Sequence, residues 1–163
     1  MTQHSRPRLE WFIVVPVLGL VVLIFWPPPF RNERVSARGT ACLSNLKQLA
    51  TANQIYLTDF DNRFPPENWA DATEPYRKNE DLLNCPENFE RGGYGYAMNT
   101  AVVGNVFVQP DMDRTVLYFE TEAKAKNLIM NLAGRAEARH SDRFSNVAYC
   151  DTSGRKIAKG QRP

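Results

Sequence analysis

The feature that most constrains this chain is an uncharged run near its start, WFIVVPVLGLVVLIFW at residues 11 to 26, followed by three prolines. As a helix rising about 1.5 Å per residue, this run extends roughly 24 Å, a little short of the roughly 30 Å hydrocarbon core of a bilayer, and Arg8 and Arg31 could extend it by snorkelling. Trp11 and Trp26 stand at its two ends, where aromatic side chains favour the membrane interfaces. We therefore expect a single transmembrane anchor. The alternative, a cleaved signal peptide, lacks a small-residue cleavage site.

The anchor divides the chain into four predicted parts. Residues 1 to 10 form a short N-terminal segment, residues 11 to 26 the anchor, residues 27 to 34 a proline-rich linker, and residues 35 to 163 one folded domain. Arginines lie on both sides of the anchor, so the positive-inside rule alone does not orient it.

Charge excludes one class of partner. The chain has 20 Lys and Arg against 18 Asp and Glu, with the two signs interspersed. Nucleic-acid binding usually requires a clustered basic surface, so we expect no nucleic-acid partner. The lipid bilayer is the predicted partner of the anchor.

A helical pattern fills the segment from residue 42 to residue 66, CLSNLKQLATANQIYLTDFDNRFPP. Apolar or small residues recur every three or four positions, as on the buried face of a helix. Leu49 and Tyr56 flank this row, and Pro65 and Pro66 end the helix. The row consists of Leu43, Leu46, Ala50, Asn53, Leu57 and Phe60.

The second half of the chain has the pattern of a small sheet. Four segments alternate β-branched or aromatic residues with others, as short strands do: YGYAMN, VVGNVFV, RTVLYFE and SNVAYCD. Residues 124 to 140 are predicted to form a helix that directs Leu128, Ile129 and Leu132 inward. A long helix followed by a sheet indicates an α+β fold.

Candidate catalytic and metal-binding residues are few. The three cysteines lack CxxC spacing, and the two histidines, His4 and His140, form no metal-ligand pattern in the sequence. Cys150, Asp151 and His140 are the one set that could form a metal or nucleophile site. We favour a buried thiol for Cys150 and a structural turn contact for His140. The sequence therefore predicts no catalytic residue, no metal, no cofactor and no enzymatic activity.

Several segments together resemble the type IV pilin-like and type II secretion pseudopilin-like proteins. These are Glu10 with the apolar run, Trp26-Pro27, RNER at residues 31 to 34, and the CLSNLKQ helix. The group resembled most has a prepilin-type N-terminus and a C-terminal His-x9-Asp-Gly signature. In this chain that signature is degenerate, because ten residues separate His140 from Asp151 and Thr152 replaces the glycine.

The resemblance implies a pilin-like α+β fold, in which an N-terminal transmembrane helix precedes a long amphipathic helix packed on a small antiparallel sheet. It places the protein in the inner (cytoplasmic) membrane as a single-pass protein, with its C-terminal domain extracytoplasmic. Glu10 falls where such proteins carry a glutamate that contacts a neighbouring subunit; a plain boundary charge beside Arg8 is the alternative. Ser5 stands where a prepilin peptidase requires glycine, so we expect the N-terminus to be retained.

An extracytoplasmic domain lies in a compartment where disulfides persist. We expect Cys42, on the domain helix, to pair with Cys85, in a proline-flanked loop, while Cys150 stays reduced in an apolar strand. Three free thiols are the alternative if the domain faces the cytoplasm.

Three functions remain open at this point, of which an enzyme that uses the His140 region is the least favoured. The first is a membrane-anchored pseudopilin-like structural or assembly protein of a secretion or pilus-type system, with other pilin-like subunits as partners. The second is a monomeric membrane-tethered extracytoplasmic binding domain that has lost polymerisation. The proline run and Ser5 favour the second; the CLSNLKQ helix and its context favour the first.

Overall fold

The computed structural model describes residues 8 to 25, 31 to 86, 93 to 106, 111 to 137, 139 to 140 and 143 to 163, with side chains described from Trp11 in the first helix and from Ser36 in the second. The chain divides into two compact units, Met1–Asn32 and Glu33–Pro163. The predicted linker falls partly outside the described residues, and the predicted domain boundaries stay a prediction.

The first helix, α1, spans Arg8–Phe25 and contains Pro16. Its large apolar side chains from Trp11 to Phe25 are exposed. Over the described residues, none of the helices combines the length and the apolar character needed to cross a membrane. Glu10 belongs to α1, but its side chain lies outside the described part of the structure.

The second helix, α2, spans Arg31–Asp59 and supplies one wall of the main core. Leu46 and Leu57 are buried, at 0% and 2% exposure, which confirms the predicted face. Phe60 is 47% exposed, so its predicted burial was wrong. The reason is that α2 ends at Asp59 and the chain turns away, with Asp61 and Asn62 in the left-handed conformation that such a turn uses.

Short elements follow α2 before the sheet. Helix α3 spans Trp69–Ala72, and 3-10 turns span Glu74–Tyr76 and Glu80–Leu83. The indole of Trp69 donates a hydrogen bond to the carbonyl of Leu128 at 3.0 Å, which ties this region to the far edge of the sheet.

Within the described part of the chain, five strands form one sheet in the order β3-β1-β2-β4-β5. Their bounds are β1 Tyr96–Asn99, β2 Val116–Glu120, β3 Ile129–Met130, β4 Phe144–Tyr149 and β5 Gly154–Ala158. The fold is therefore α+β, with helices packed on a five-stranded sheet.

The sheet is mixed, so the predicted purely antiparallel sheet was wrong. Strand β3 pairs parallel to β1, while the other three pairings are antiparallel. Both sides of β2 are already occupied, by β1 and β4. The chain that leaves β2 must therefore reverse and pair on the outer side of β1, which makes β3 parallel to it.

The described residues of this range, 124 to 137 and 139 to 140, do not form the predicted helix. Asn127 has a positive φ of 57°, β3 occupies Ile129–Met130, and a 3-10 turn occupies Leu132–Gly134. The Asn127 side-chain oxygen accepts a hydrogen bond from the backbone N–H of Ala70 at 2.7 Å. Contacts with distant segments thus override the local helical pattern. The predicted strand VVGNVFV is also wrong in its described part, where residues 101 to 104 form a turn.

The two faces of the sheet carry separate clusters of buried side chains. One face packs on α2, since Tyr96, Met98 and Tyr118 share a core with Leu46 and other residues of that helix. The opposite face gathers Phe119, Val147, Ile157 and their neighbours. Polar residues are fully buried on both faces: Asn146 donates to the Gly39 carbonyl of α2, and Ser145 lies on the other face, paired with Ile157.

Replacing Leu46 by Ala should lower the free energy of unfolding by about 2 to 5 kcal/mol, because it leaves a cavity between α2 and the sheet. Ile55→Ala is the matched control on the same helix, since Ile55 is 46% exposed. It should change stability by less than about 0.5 kcal/mol. Denaturant unfolding of the full chain in detergent measures both. Equal losses would mean that the buried face of α2 has been assigned wrongly.

Candidate functional site

The most distinctive site is a group of four buried side chains, which we call the buried cluster: Cys42, Cys85, Glu120 and His140. Each contributes one potential ligand atom, and these atoms all lie within 4.8 Å of one another. The four residues come from α2, the loop after residue 83, the end of β2 and the turn before β4. Each of the four is 0% exposed.

Cys42 and Cys85 are joined by a disulfide, as predicted. Their Cα atoms are 5.2 Å apart, which lies in the ordinary range for this bond. The bond links the first buried turn of α2 to the loop that precedes β1. Tyr96 lies beside it, with its hydroxyl donating to the Cys42 carbonyl at 3.5 Å. Burial and the nearby Glu120 charge raise the pKa of Tyr96, so its hydroxyl stays protonated.

Glu120 is the centre of the polar contacts. Its Oε1 lies 2.8 Å from Nε2 of His140 and accepts from Nδ2 of Asn146 at 3.0 Å. Its Oε2 accepts from the Asn146 backbone N–H at 2.8 Å. The Cys85 sulfur lies 4.0 Å from Oε1. A fully buried carboxylate is costly unless it is paired and hydrogen-bonded, and here both of its oxygens are engaged.

The helix approaches the cluster closely because of Gly39. A Cβ at that position would lie 2.8 Å from the Phe144 ring and 3.2 Å from the His140 ring. The Gly39 carbonyl accepts a hydrogen bond from Asn146 Nδ2 at 2.9 Å. Asn146 therefore bridges the backbone of α2 and the carboxylate of Glu120.

Arg139 fixes the chain next to His140. Its guanidinium donates to the carbonyl of Gly95 at 3.0 Å and also to the carbonyl of Thr121. Both carbonyls lie at the ends of paired strands, one just before β1 and the other just after β2. His140 itself donates its backbone N–H to the Phe144 carbonyl at 3.0 Å. The turn before β4 is thus held on both sides of His140.

The other set considered in the sequence, His140 with Cys150 and Asp151, is not assembled. The His140 ring lies beside Asn146, with Nε2 3.2 Å from Nδ2, and Cys150 comes four residues later, roughly 13 Å further along the strand. Asp151 accepts a hydrogen bond from the Ser153 backbone in a local turn. Cys150 is a buried free thiol, as predicted, and burial together with Asp151 raises its pKa to about 12.

Sequence spacing missed the buried cluster because its members come from four distant segments. One signal pointed to it. In the alternating strand TVLYFE, Glu120 lies two residues after Tyr118 and therefore shares its inward face. An acidic residue on a buried face requires partners, and His140 and Asn146 supply them.

In this conformation the cluster holds the fold together. All four side chains are inaccessible to a solute, and a disulfide has no thiol to act as a nucleophile. The disulfide and the hydrogen bonds of Glu120 connect α2, the loop after residue 83, β2 and β4 at one end of the sheet. The contacts of the buried cluster do not test the assembly role predicted for Glu10, which stays a prediction.

No known family, curated protein or solved structure matches this chain. The likeness to pilin-like proteins therefore rests on the residues quoted from the sequence.

Replacing both Cys42 and Cys85 by Ser should lower the free energy of unfolding by about 4 kcal/mol, because the disulfide closes a loop of 43 residues. Cys150→Ala, which touches no crosslink, should cost less. Denaturant unfolding measures the stabilities, and alkylation with and without reductant maps the bond. Alkylation of Cys42 and Cys85 in unreduced protein would contradict the disulfide.

Truncating Glu120 to Ala should lower the free energy of unfolding by about 3 to 5 kcal/mol, since it leaves His140 and Asn146 buried with a lost partner. Glu120→Gln keeps part of the hydrogen bonding and should cost less. Glu122→Ala is the control, because Glu122 is exposed two residues along the chain. A Glu120→Ala variant as stable as the Glu122→Ala variant would show that the carboxylate is not a central contact.

Proposed function

We propose that this protein is a membrane-anchored, pilin-like structural or assembly subunit of a secretion or pilus-type system, and that it is not an enzyme. The observation that carries the proposal is the combination of two helices. Helix α1 exposes apolar side chains from Trp11 to Phe25, and α2 packs its buried face on the sheet. This order, an apolar N-terminal helix and then a helix that enters an α+β domain, is the one that the resemblance to pilin-like proteins implies.

The apolar exposure of α1 supports an anchoring role. The run of exposed side chains from Trp11 to Phe25 includes no charged residue. A contiguous apolar surface of this kind indicates contact with lipid or with another protein. In the proposal, residues 11 to 26 lie in the inner membrane, and the neighbours of α1 are lipid tails and the α1 helices of other subunits.

The disulfide supports an extracytoplasmic domain. Disulfides persist in oxidising compartments and are rare in the cytosol. The Cys42–Cys85 bond lies at the start of the buried part of α2, and both cysteines are C-terminal to the predicted anchor. An exported domain with this crosslink would keep α2 fixed to the sheet while the anchor is engaged elsewhere.

The second candidate, a monomeric tethered binding domain, has one observation in its favour. An open cavity of about 410 Å³ lies between the loop after α2 and the end of β4, with Phe64, Val102, Met112 and Cys150 in its wall. Its volume is in the range of small-molecule sites. This candidate predicts the same anchor and no contact between subunits.

Photocrosslinking in native membranes separates the two candidates. Phe12 is 77% exposed on α1, and p-benzoylphenylalanine in its place should give a ladder of crosslinked subunits at multiples of 18.6 kDa. The same probe at Phe60, 47% exposed on the folded unit, is the matched control and should give less of the ladder. Glu10→Ala should weaken the Phe12 ladder, whereas Glu122→Ala should not.

Two results would contradict the proposal. Crosslinks from Phe12 to lipid alone, with no ladder, would favour the monomeric tethered domain. Release of the protein from membranes by alkaline carbonate would show that it is not membrane-anchored, which contradicts both candidates.

A further inference from the structure

The buried cluster contains the donor types of a structural zinc site. Zinc in proteins is bound by cysteine sulfur, histidine nitrogen and carboxylate oxygen, and structural sites take all four ligands from the protein. We propose that reduction of the disulfide converts the cluster into a closed tetrahedral zinc site whose ligands are Cys42, Cys85, Glu120 and His140. The sequence-based expectation of no metal did not consider this grouping.

The geometry already brings the ligand atoms close to the required separations. Bonds of about 2.0 to 2.3 Å from zinc imply ligand atoms roughly 3.3 to 3.8 Å apart in a tetrahedron. The four atoms lie within 4.8 Å of one another. Loss of the sulfur–sulfur bond lets the two sulfurs separate. Shifts of about 1 Å, within reach of side-chain rotation, then complete the site.

The surrounding contacts orient two of the ligands. Asn146 holds Glu120 by donating to both carboxylate oxygens, from its side chain and its backbone. Nε2 of His140 already faces Oε1 of Glu120, at 2.8 Å. In the proposed site the zinc ion lies between these two atoms and replaces their direct contact. Such supporting hydrogen bonds fix ligand orientation in metal sites and raise affinity.

The chemistry favours zinc over the common hard cations. Two thiolates with an imidazole and one carboxylate suit a borderline-soft ion, whereas magnesium and calcium prefer oxygen ligands. The ion also offsets the charge of a carboxylate that is 0% exposed. Because no position remains for water or substrate, the zinc stabilises the fold.

The redox step balances with a dithiol reductant. The reductant transfers two electrons and two protons to the Cys42–Cys85 bond, which breaks into two thiols, and the reductant becomes a disulfide. Zinc binding then releases the two thiol protons to solvent. In the oxidised state the disulfide links α2 to the loop, and in the reduced state the ion links the same residues. The domain thus has a crosslink at this point in either redox state.

Zinc uptake by the full chain tests the proposal. Because the cluster is buried, the chain is first unfolded in urea with a phosphine reductant. The phosphine reduces the disulfide and is oxidised to the phosphine oxide, with its oxygen taken from water. The reduced chain is then refolded into detergent with zinc as the one added metal. After desalting, the reduced protein should retain about one zinc ion per chain. Protein refolded with the disulfide intact should retain far less. Cobalt in place of zinc should give the visible bands of tetrahedral coordination and thiolate charge transfer.

Variants identify the ligands. Glu120→Gln and His140→Gln should each weaken zinc binding tenfold or more. Both keep the disulfide, so circular dichroism of their oxidised forms shows whether they fold. The Cys42→Ser/Cys85→Ser double variant should retain no zinc above background. Cys150→Ala is the matched cysteine control and should bind zinc as the unaltered chain does.

Three results would overturn the proposal. In the first, the reduced chain retains no more zinc than the double serine variant. In the second, Cys150→Ala loses as much zinc binding as the ligand variants do. In the third, Glu120→Gln and His140→Gln both bind zinc as tightly as the unaltered chain. The assay uses protein in detergent and requires no assembly, so its outcome is independent of the proposed function.

Discussion

The fully buried carboxylate of Glu120 is the interaction on which the rest of the folded unit depends. Its cost in a low-dielectric interior is offset by three polar contacts, one from His140 and two from Asn146. Asn146 also binds the Gly39 carbonyl of α2, and the Cys85 sulfur lies beside the carboxylate. The helix, the loop and two strands therefore meet at one group, and displacing any of them leaves polar atoms buried without their contacts.

Features set by short-range pattern could be predicted from the sequence. The three-to-four residue repeat located the buried face of α2, and β-branched alternation located β1, β2 and β4. The Cys42–Cys85 pairing followed from the compartment and from the apolar setting of Cys150. The predicted burial of Phe60 was wrong because helix periodicity does not show where the helix ends and the chain changes direction.

Features set by distant contacts could not be predicted. Residues 124 to 140 have a helical pattern, but Asn127 turns the chain to meet α3 and Ile129 pairs with β1. Strand β5 was missed because GRKIA has one buried residue, Ile157, and among the described strands it pairs with β4 alone. The buried cluster depends on four segments meeting, which spacing along the chain does not reveal.

The most direct test of this account is a double-mutant cycle between Glu120 and His140. Unfolding free energies are measured for the unaltered chain, Glu120→Gln, His140→Gln and the double variant, all with the disulfide intact. If the carboxylate is the contact on which the neighbouring groups depend, the two substitutions couple by about 1 to 3 kcal/mol. Additive losses, with coupling below about 0.5 kcal/mol, would contradict it and show that each residue stabilises the fold independently.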